Sequence, residues 1–199
     1  MKLLLLLLLS LNLIAQDEYS FRVAYGKAST KDLGEILSFD SDIHQDNLSV
    51  LSLDVGYLLK KEIFELPLDL YVKGGLGYFH EGNTQRSDVY ETAIYVKVYY
   101  NIDFLKNRVR LGLGEGLSYT SDVLWAEEQE AIAESEKYAQ FLNYMDLSID
   151  FDLGRLLRYK PLEETYIGWT LKHRSGIFGL FSGVDGGSNY NTISIEKNF

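Results

Sequence analysis

The feature that most restricts the fold is an alternation of apolar and polar residues that recurs along the chain. The stretch IYVKVYYNID, residues 94–103, carries apolar side chains at its even positions. Successive side chains of a β-strand point to opposite faces, so this period predicts strands buried on one face. About eight such stretches occur, beginning near Tyr19, Leu51, Leu68, Ile94, Val109, Phe141, Ile167 and Ile193.

Strand number and connector length predict how these strands assemble. An even number of antiparallel strands can close into a barrel without a free edge. Strands of about ten residues are long enough to span a bilayer when tilted. Longer connectors, near 28–46, 80–88, 120–138 and 176–188, alternate with shorter ones near 58–66, 105–107 and 155–163. We therefore predict an all-β fold, an eight-stranded antiparallel transmembrane β-barrel of the outer-membrane type.

A soluble lipocalin-like barrel would show the same alternation, with its apolar side chains inward. Besides the alternating connectors, both prolines, Pro67 and Pro161, fall on the short-connector side. The last strand ends at Phe199, which resembles the C-terminal signal of outer-membrane barrels. These features favour the membrane barrel, whose narrow lumen would hold the polar face. We predict that seven charged residues pair there: Arg22, Asp54, Lys73, Lys97, Arg110, Asp146 and Asp150.

The N-terminal sequence and the composition indicate where such a barrel resides. Residues 1–15 read MKLLLLLLLSLNLIA, with one cation, a short apolar run and a final small residue. This pattern is typical of a secretory signal peptide, so we predict a signal peptide over 1–16 and the barrel over 17–199. Such a chain suits the outer membrane of a Gram-negative cell. The absence of cysteine excludes disulfides and a cysteine nucleophile. A net charge of -10 argues against a nucleic-acid partner.

Four polar residues interrupt the apolar face of three neighbouring strands. By strand parity, Glu115, Asn143, His173 and Ser175 face the lipid together with apolar residues, at similar heights near the outer leaflet. Ser175 is a candidate nucleophile, with His173 as its general base. Glu115 is the first candidate for the acid that orients the imidazole, and Asp185 is the alternative. A simpler interpretation is that all four are solvated or touch lipid headgroups.

A family resemblance rests on the second half of the chain. The segments GEGLSY, LNYMDLSIDFDLG, HRSGIFG and GGSNYNT resemble the PagL-type lipid A 3-O-deacylases and barrel proteins described as acyloxyacyl hydrolases. The resemblance implies that His173 and Ser175 are catalytic and that the site faces the membrane. The family's acidic member comes near the start of the last strand, where this chain has Asn189 and Asn191 instead. Asn143 and Asn189 are candidates for binding the substrate or its oxyanion.

The resulting hypothesis is an outer-membrane serine esterase that removes an ester-linked acyl chain from lipid A through an acyl-serine intermediate. The expected partner is lipid A or another outer-leaflet lipid, with no metal and no cofactor; the possibility of a homodimer stays open. The alternative is a non-catalytic small barrel with a structural or binding role. The acidic segment AEEQEAIAESEKY, residues 126–138, predicts a helical insert in the third outer loop with a solvated face.

Overall fold

Eight antiparallel strands form a closed barrel in the computed structural model, which describes residues 18–199. Each strand pairs with the next in the chain, and β8 pairs with β1. The predicted signal peptide lies outside the described residues. The strands are β1 Tyr19–Ser29, β2 Ser49–Lys60, β3 Leu68–His80, β4 Val89–Phe104, β5 Asn107–Thr120, β6 Phe141–Asp152, β7 Thr165–Ser175 and β8 Gly187–Asn198. The predicted fold class is confirmed.

The connectors alternate between the two ends of the barrel as the sequence predicts, except that connector 153–164 at the short-connector end is longer than loop 81–88 at the other end. The four long loops at one end are 30–48, 81–88, 121–140 and 176–186, called here the first to fourth loops. The first holds α1 (Leu33–Leu37) and the third holds α2 (Trp125–Glu134). At the other end, 3-10 turns Ile63–Glu65 and Lys160–Leu162 and helix α3 (Leu153–Leu157) lie in the connectors. No helix within residues 18–199 is long and apolar enough to cross a membrane.

The outward face of the barrel is apolar and carries an aromatic girdle near each end. Exposed side chains of Leu53, Val55, Leu113 and Ile193 lie between the girdles. The girdle nearer the long loops contains Tyr25, Tyr78, Tyr90, Tyr119 and Phe141, and the other contains Tyr19, Tyr57, Tyr100, Phe104 and Phe151. Apolar bands flanked by aromatic residues are the pattern of barrels that span an outer membrane.

The lumen is filled by paired charges, and all seven residues predicted to lie there are buried. Arg22 donates to Asp54 at 3.1 Å and also contacts Asp146, which accepts a second bond from Lys97. Lys73 donates to Glu196 at 2.7 Å, while Arg110 lies 3.4 Å from Asp150. Because charges removed from water need partners, this network gives each of the seven predicted charges an oppositely charged partner inside the barrel.

The helical insert of the third loop is confirmed as α2, but its predicted solvated face is wrong at Glu127. This carboxylate is 4 % exposed and accepts from Arg174 at 2.8 Å and from Ser188 at 2.8 Å. The helix sits in the mouth of the barrel, where Trp125 and Ala126 pack against buried apolar residues of the upper lumen. Glu127 therefore pairs with a lumen arginine and does not face water.

A matched pair of glycine substitutions tests the inward and outward faces. A Cβ on Gly26 would lie 1.9 Å from the backbone oxygen of Asn191, whereas one on Gly74 meets no atom within 4 Å. We expect Gly26→Val to lower the free energy of unfolding by about 1–3 kcal/mol or to prevent folding, and Gly74→Val to leave it nearly unchanged. Urea unfolding of both variants measures this, and equal stabilities would contradict the placement of the two faces.

Candidate active site on the outward wall

A polar strip, interrupted in one row by Met145, crosses the apolar outward wall over β5 to β8. In the strand register, Glu115 pairs with Met145, Met145 with His173, and His173 with Asn189. One pair nearer the long loops, Asn143 lies opposite Ser175. The structure therefore brings the four predicted residues together on one face. We define the polar strip as Glu115, Asn143, His173, Ser175, Asn189 and Asn191.

Asn189 on β8 orients the imidazole of His173. Its side-chain oxygen Oδ1 lies 2.8 Å from His173 Nδ1, while its amide nitrogen Nδ2 donates to the backbone oxygen of Lys31 at 3.0 Å. Since the amide nitrogen is engaged by a carbonyl, the atom that faces His173 is an acceptor. His173 Nδ1 therefore carries the proton, and Nε2 is left as the basic nitrogen.

Ser175 and His173 are two residues apart on the same face of β7. Their Cα atoms are about 7 Å apart at the usual rise of a strand, a distance that two side chains bridge by rotation. Within residues 18–199, neither Ser175 Oγ nor His173 Nε2 makes a hydrogen bond, and neither is among the enclosed unpaired atoms. His173 and Ser175 are both partly exposed on the outward face. Hydrogen bonds of this kind often form only when substrate is bound.

The carboxylates considered from sequence hold other positions. Glu115 is exposed and accepts a hydrogen bond from the Asn143 amide, which also donates to the backbone oxygen of Gly116 at 3.1 Å. Asp185 is exposed in the fourth loop, and no hydrogen bond or ion pair joins it to His173 in the described part of the chain. In this structure the partner of the His173 Nδ1 atom is thus Asn189.

From the sequence, Asn189 is a candidate only for binding the substrate or its oxyanion, and no role is predicted for Asn191. Both share the outward parity of Ile193 and Ile195 on β8, so extending that alternation would have placed them on the same wall. Asn191 Oδ1 accepts from the indole nitrogen of Trp169 at 3.1 Å. The bond to Lys31 joins residues at opposite ends of the chain, and no sequence pattern indicates it.

The strip lies at the level of the girdle nearer the long loops. On one side, the pair Tyr119 and Phe141 is the next outward pair beyond Leu117 and Asn143. On the other side, Asn191 pairs with Lys27, one outward position beyond Tyr25. Aromatic girdles mark the boundary between headgroups and acyl chains. The strip therefore lies at the level of one of the two aromatic girdles of the barrel.

A cavity of about 330 Å³ opens beside the strip, between the first loop, α2 and the start of β8. Its wall includes Asn189, Lys31 and the carboxylates of Asp32, Glu130 and Glu134. These three carboxylates pair with no lysine or arginine of residues 18–199, whereas Lys31 pairs with Glu35 and Asp40. Burial raises the pKa of the Glu130 carboxyl, and the nearby Glu134 and Asp32 add to this rise. The cavity is thus polar and acidic.

Fold and site together define a small barrel of the outer-membrane type with an accessible serine and histidine on its outward wall. Solved structures share the fold: the outer-membrane enzyme PagL (TM-score 0.58, 10 % identity, 90 % of this chain and 99 % of that chain), and Neisserial surface protein A, NspA (TM-score 0.51, 13 % identity, 92 % and 98 %). No protein-family model and no curated protein sequence matches the chain. Because an enzyme and a surface protein share this barrel, function has to be argued from the strip.

Proposed function

We propose that this protein is an outer-membrane serine esterase that cleaves an ester-linked acyl chain from lipid A or a related outer-leaflet lipid. The observation that carries the proposal is the contact of His173 Nδ1 with Asn189 Oδ1, beside an unpaired and accessible Ser175. From the barrel fold we propose the outer membrane as its location. From the N-terminal sequence we propose residues 1–16 as its signal peptide.

The orientation of the Asn189 amide is what makes an asparagine suitable here. In a Ser–His–acid triad, replacing the acid by an amide fails when the amide nitrogen faces the histidine and selects the wrong tautomer. The backbone oxygen of Lys31 holds the Asn189 nitrogen away from the ring. His173 therefore keeps Nε2 unprotonated and able to accept the proton of Ser175.

The reaction then follows the usual course of acyl transfer. Ser175 Oγ attacks the ester carbonyl while His173 Nε2 takes its proton, and collapse of the tetrahedral intermediate returns that proton to the leaving sugar alcohol. Water, deprotonated by the same nitrogen, releases the fatty acid from the serine. Asn143 lies opposite Ser175. We assign its amide nitrogen to the oxyanion, to which it would donate the N–H that otherwise binds Glu115.

The lipid is proposed to lie along the wall, with its polar part towards the acidic cavity. Acyl chains would contact the apolar outward face, and the ester would reach Ser175 at the girdle. The cavity shares Asn189 with the strip, and its unpaired carboxylates favour hydroxyl or amine groups over phosphate. We therefore assign it to a sugar portion of the headgroup.

Substitution of the three candidate partners of His173 separates their roles. We expect Asn189→Ala to lower kcat by about 10²-fold or more, because the ring loses the acceptor that selects its tautomer. Asp185→Asn should leave kcat unchanged, and Glu115→Gln should change it less than Asn189→Ala does. Steady-state release of fatty acid from lipid A in mixed micelles measures this. A larger loss in Glu115→Gln would reassign the orienting role to the carboxylate.

The proposed function is tested by mass spectrometry of lipid A from cells that express the wild type, the Ser175→Ala variant or an empty vector. The expected result is loss of one ester-linked acyl chain in the wild-type cells alone. Unchanged lipid A with folded wild-type protein in the outer membrane would overturn the deacylase proposal and favour a non-catalytic barrel. Equal acyl loss with Ser175→Ala would remove Ser175 from the nucleophile role.

A further inference from the structure

The first loop does not extend away from the barrel but folds onto its outward wall. Lys31 and Ser41 accept hydrogen bonds from Asn189 and Asn191, at 3.0 and 2.9 Å. Asp42 accepts from Ser29 Oγ at 2.8 Å, and Asn47 accepts from Lys27. The four strand residues in these contacts, Lys27, Ser29, Asn189 and Asn191, all have outward parity.

The fourth loop leans over the same wall from the other side of the strip. The ring of Phe181 lies 5.9 Å from that of Phe141, an outward residue of the girdle on β6. The first and fourth loops thus flank His173 and Ser175, one over β8 and β1 and the other over β6. Both lie at the level of the girdle aromatics Tyr25 and Phe141.

Each of these loops presents large apolar side chains that are mostly exposed. Phe39 and Ile43 of the first loop are 95 % and 67 % exposed, and Phe178 and Leu180 of the fourth loop are 93 % and 74 % exposed. Exposed apolar groups of this size beside an existing interface mark a surface that meets another apolar phase. The loops that carry these side chains are attached to the outward wall, the first through Lys31, Ser41 and Asp42 and the fourth through Phe181.

We propose that the first and fourth loops form an interfacial clamp around the polar strip, with Phe39, Ile43, Phe178 and Leu180 inserted among the acyl chains of the outer leaflet. The occupant of this surface is therefore lipid. Apolar and aromatic side chains at the headgroup boundary anchor a segment because their apolar area leaves water. Lipid contact then holds the first loop, and with it the backbone oxygen of Lys31, against Asn189. That last consequence rests on the proposed esterase, whereas the insertion itself does not.

Because the chain has no cysteine, single nitroxide labels can test the clamp. Phe39→Cys and Phe178→Cys, with Ile43→Cys and Leu180→Cys as second reporters, are labelled and folded into phosphatidylcholine vesicles. Gln85→Cys, in the exposed second loop, is the water control, and Leu53→Cys, on the outward face of β2, is the lipid control. Power saturation with oxygen, which partitions into lipid, and with a water-soluble nickel chelate gives the accessibility ratio of each label.

The expected result is an oxygen-to-nickel ratio several-fold above that of Gln85→Cys at both loops, approaching that of Leu53→Cys. Ratios equal to that of Gln85→Cys at both reporters of a loop would overturn insertion of that loop. Low access to both reagents, with spectral broadening that unlabelled protein removes, would indicate a second copy on this surface and also overturn the proposal. Since no measurement here involves ester cleavage, its outcome is independent of the esterase test.

Discussion

The variants Ser175→Ala and His173→Ala are each expected to lower the rate constant of ester hydrolysis by about 10⁴-fold or more. The rate constant of the double variant should be no lower than that of either single variant. The reason is that the serine is activated only through the histidine, so removal of one member leaves the other without a function. Purified protein in mixed micelles, assayed for fatty-acid release from lipid A, gives the three rate constants.

Ser87→Ala provides the matched control, because Ser87 is an exposed serine of the second loop, distant from the strip in sequence. It should retain wild-type activity, and far-UV circular dichroism should show the same strand content in every variant. If the losses of the two single variants multiplied in the double variant, the two residues would act independently, contrary to the nucleophile and base assignment.

The variant Asp146→Asn is expected to cost about 3–5 kcal/mol of stability, because it leaves two buried cations without their shared anion. Asp146 is completely buried and accepts hydrogen bonds from both Arg22 and Lys97. Asparagine has nearly the same volume as aspartate, so the decrease in the free energy of unfolding results from the lost charge and not from changed packing. Urea unfolding followed by circular dichroism measures the change in the free energy of unfolding.

Asp103→Asn is the matched control, since the side chain of Asp103 is about half exposed while it binds Arg108 at 2.7 Å and Arg155 at 3.0 Å. Exposed ion pairs contribute about 0–1 kcal/mol, so this variant should unfold almost as the wild type does. Equal costs for the two variants would contradict the account of the lumen as a desolvated, charge-paired core.

Strand parity is the basis of most of the correct predictions from the sequence, because it gives the face of the barrel on which each strand residue lies. A period of two assigns every residue of a strand to one face, which is why the sequence alone predicts the inward charges and the outward Glu115, Asn143, His173 and Ser175. The neighbouring strand order then follows from short connectors. Parity does not give the register, however, and the pairing of His173 with Asn189 depends on it.

Long-range contacts account for what the sequence did not predict. The Asn189 amide is held by Lys31, and Glu127 is buried by Arg174; both contacts join distant parts of the chain after the barrel has closed. A run of carboxylates such as the one in α2 is usually solvated. Its burial here depends on a cation that β7 places in the mouth of the barrel.

Ser175 is expected to react as a nucleophile that His173 activates on the outward wall, and covalent trapping measures this reactivity. Wild-type protein in phosphatidylcholine vesicles is treated with a long-chain alkyl fluorophosphonate, and its peptides are analysed by mass spectrometry. We expect one phosphonyl group, on Ser175, and no such group in His173→Ala. Folded wild-type protein with no adduct on Ser175, or with equal labelling in His173→Ala, would contradict this expectation.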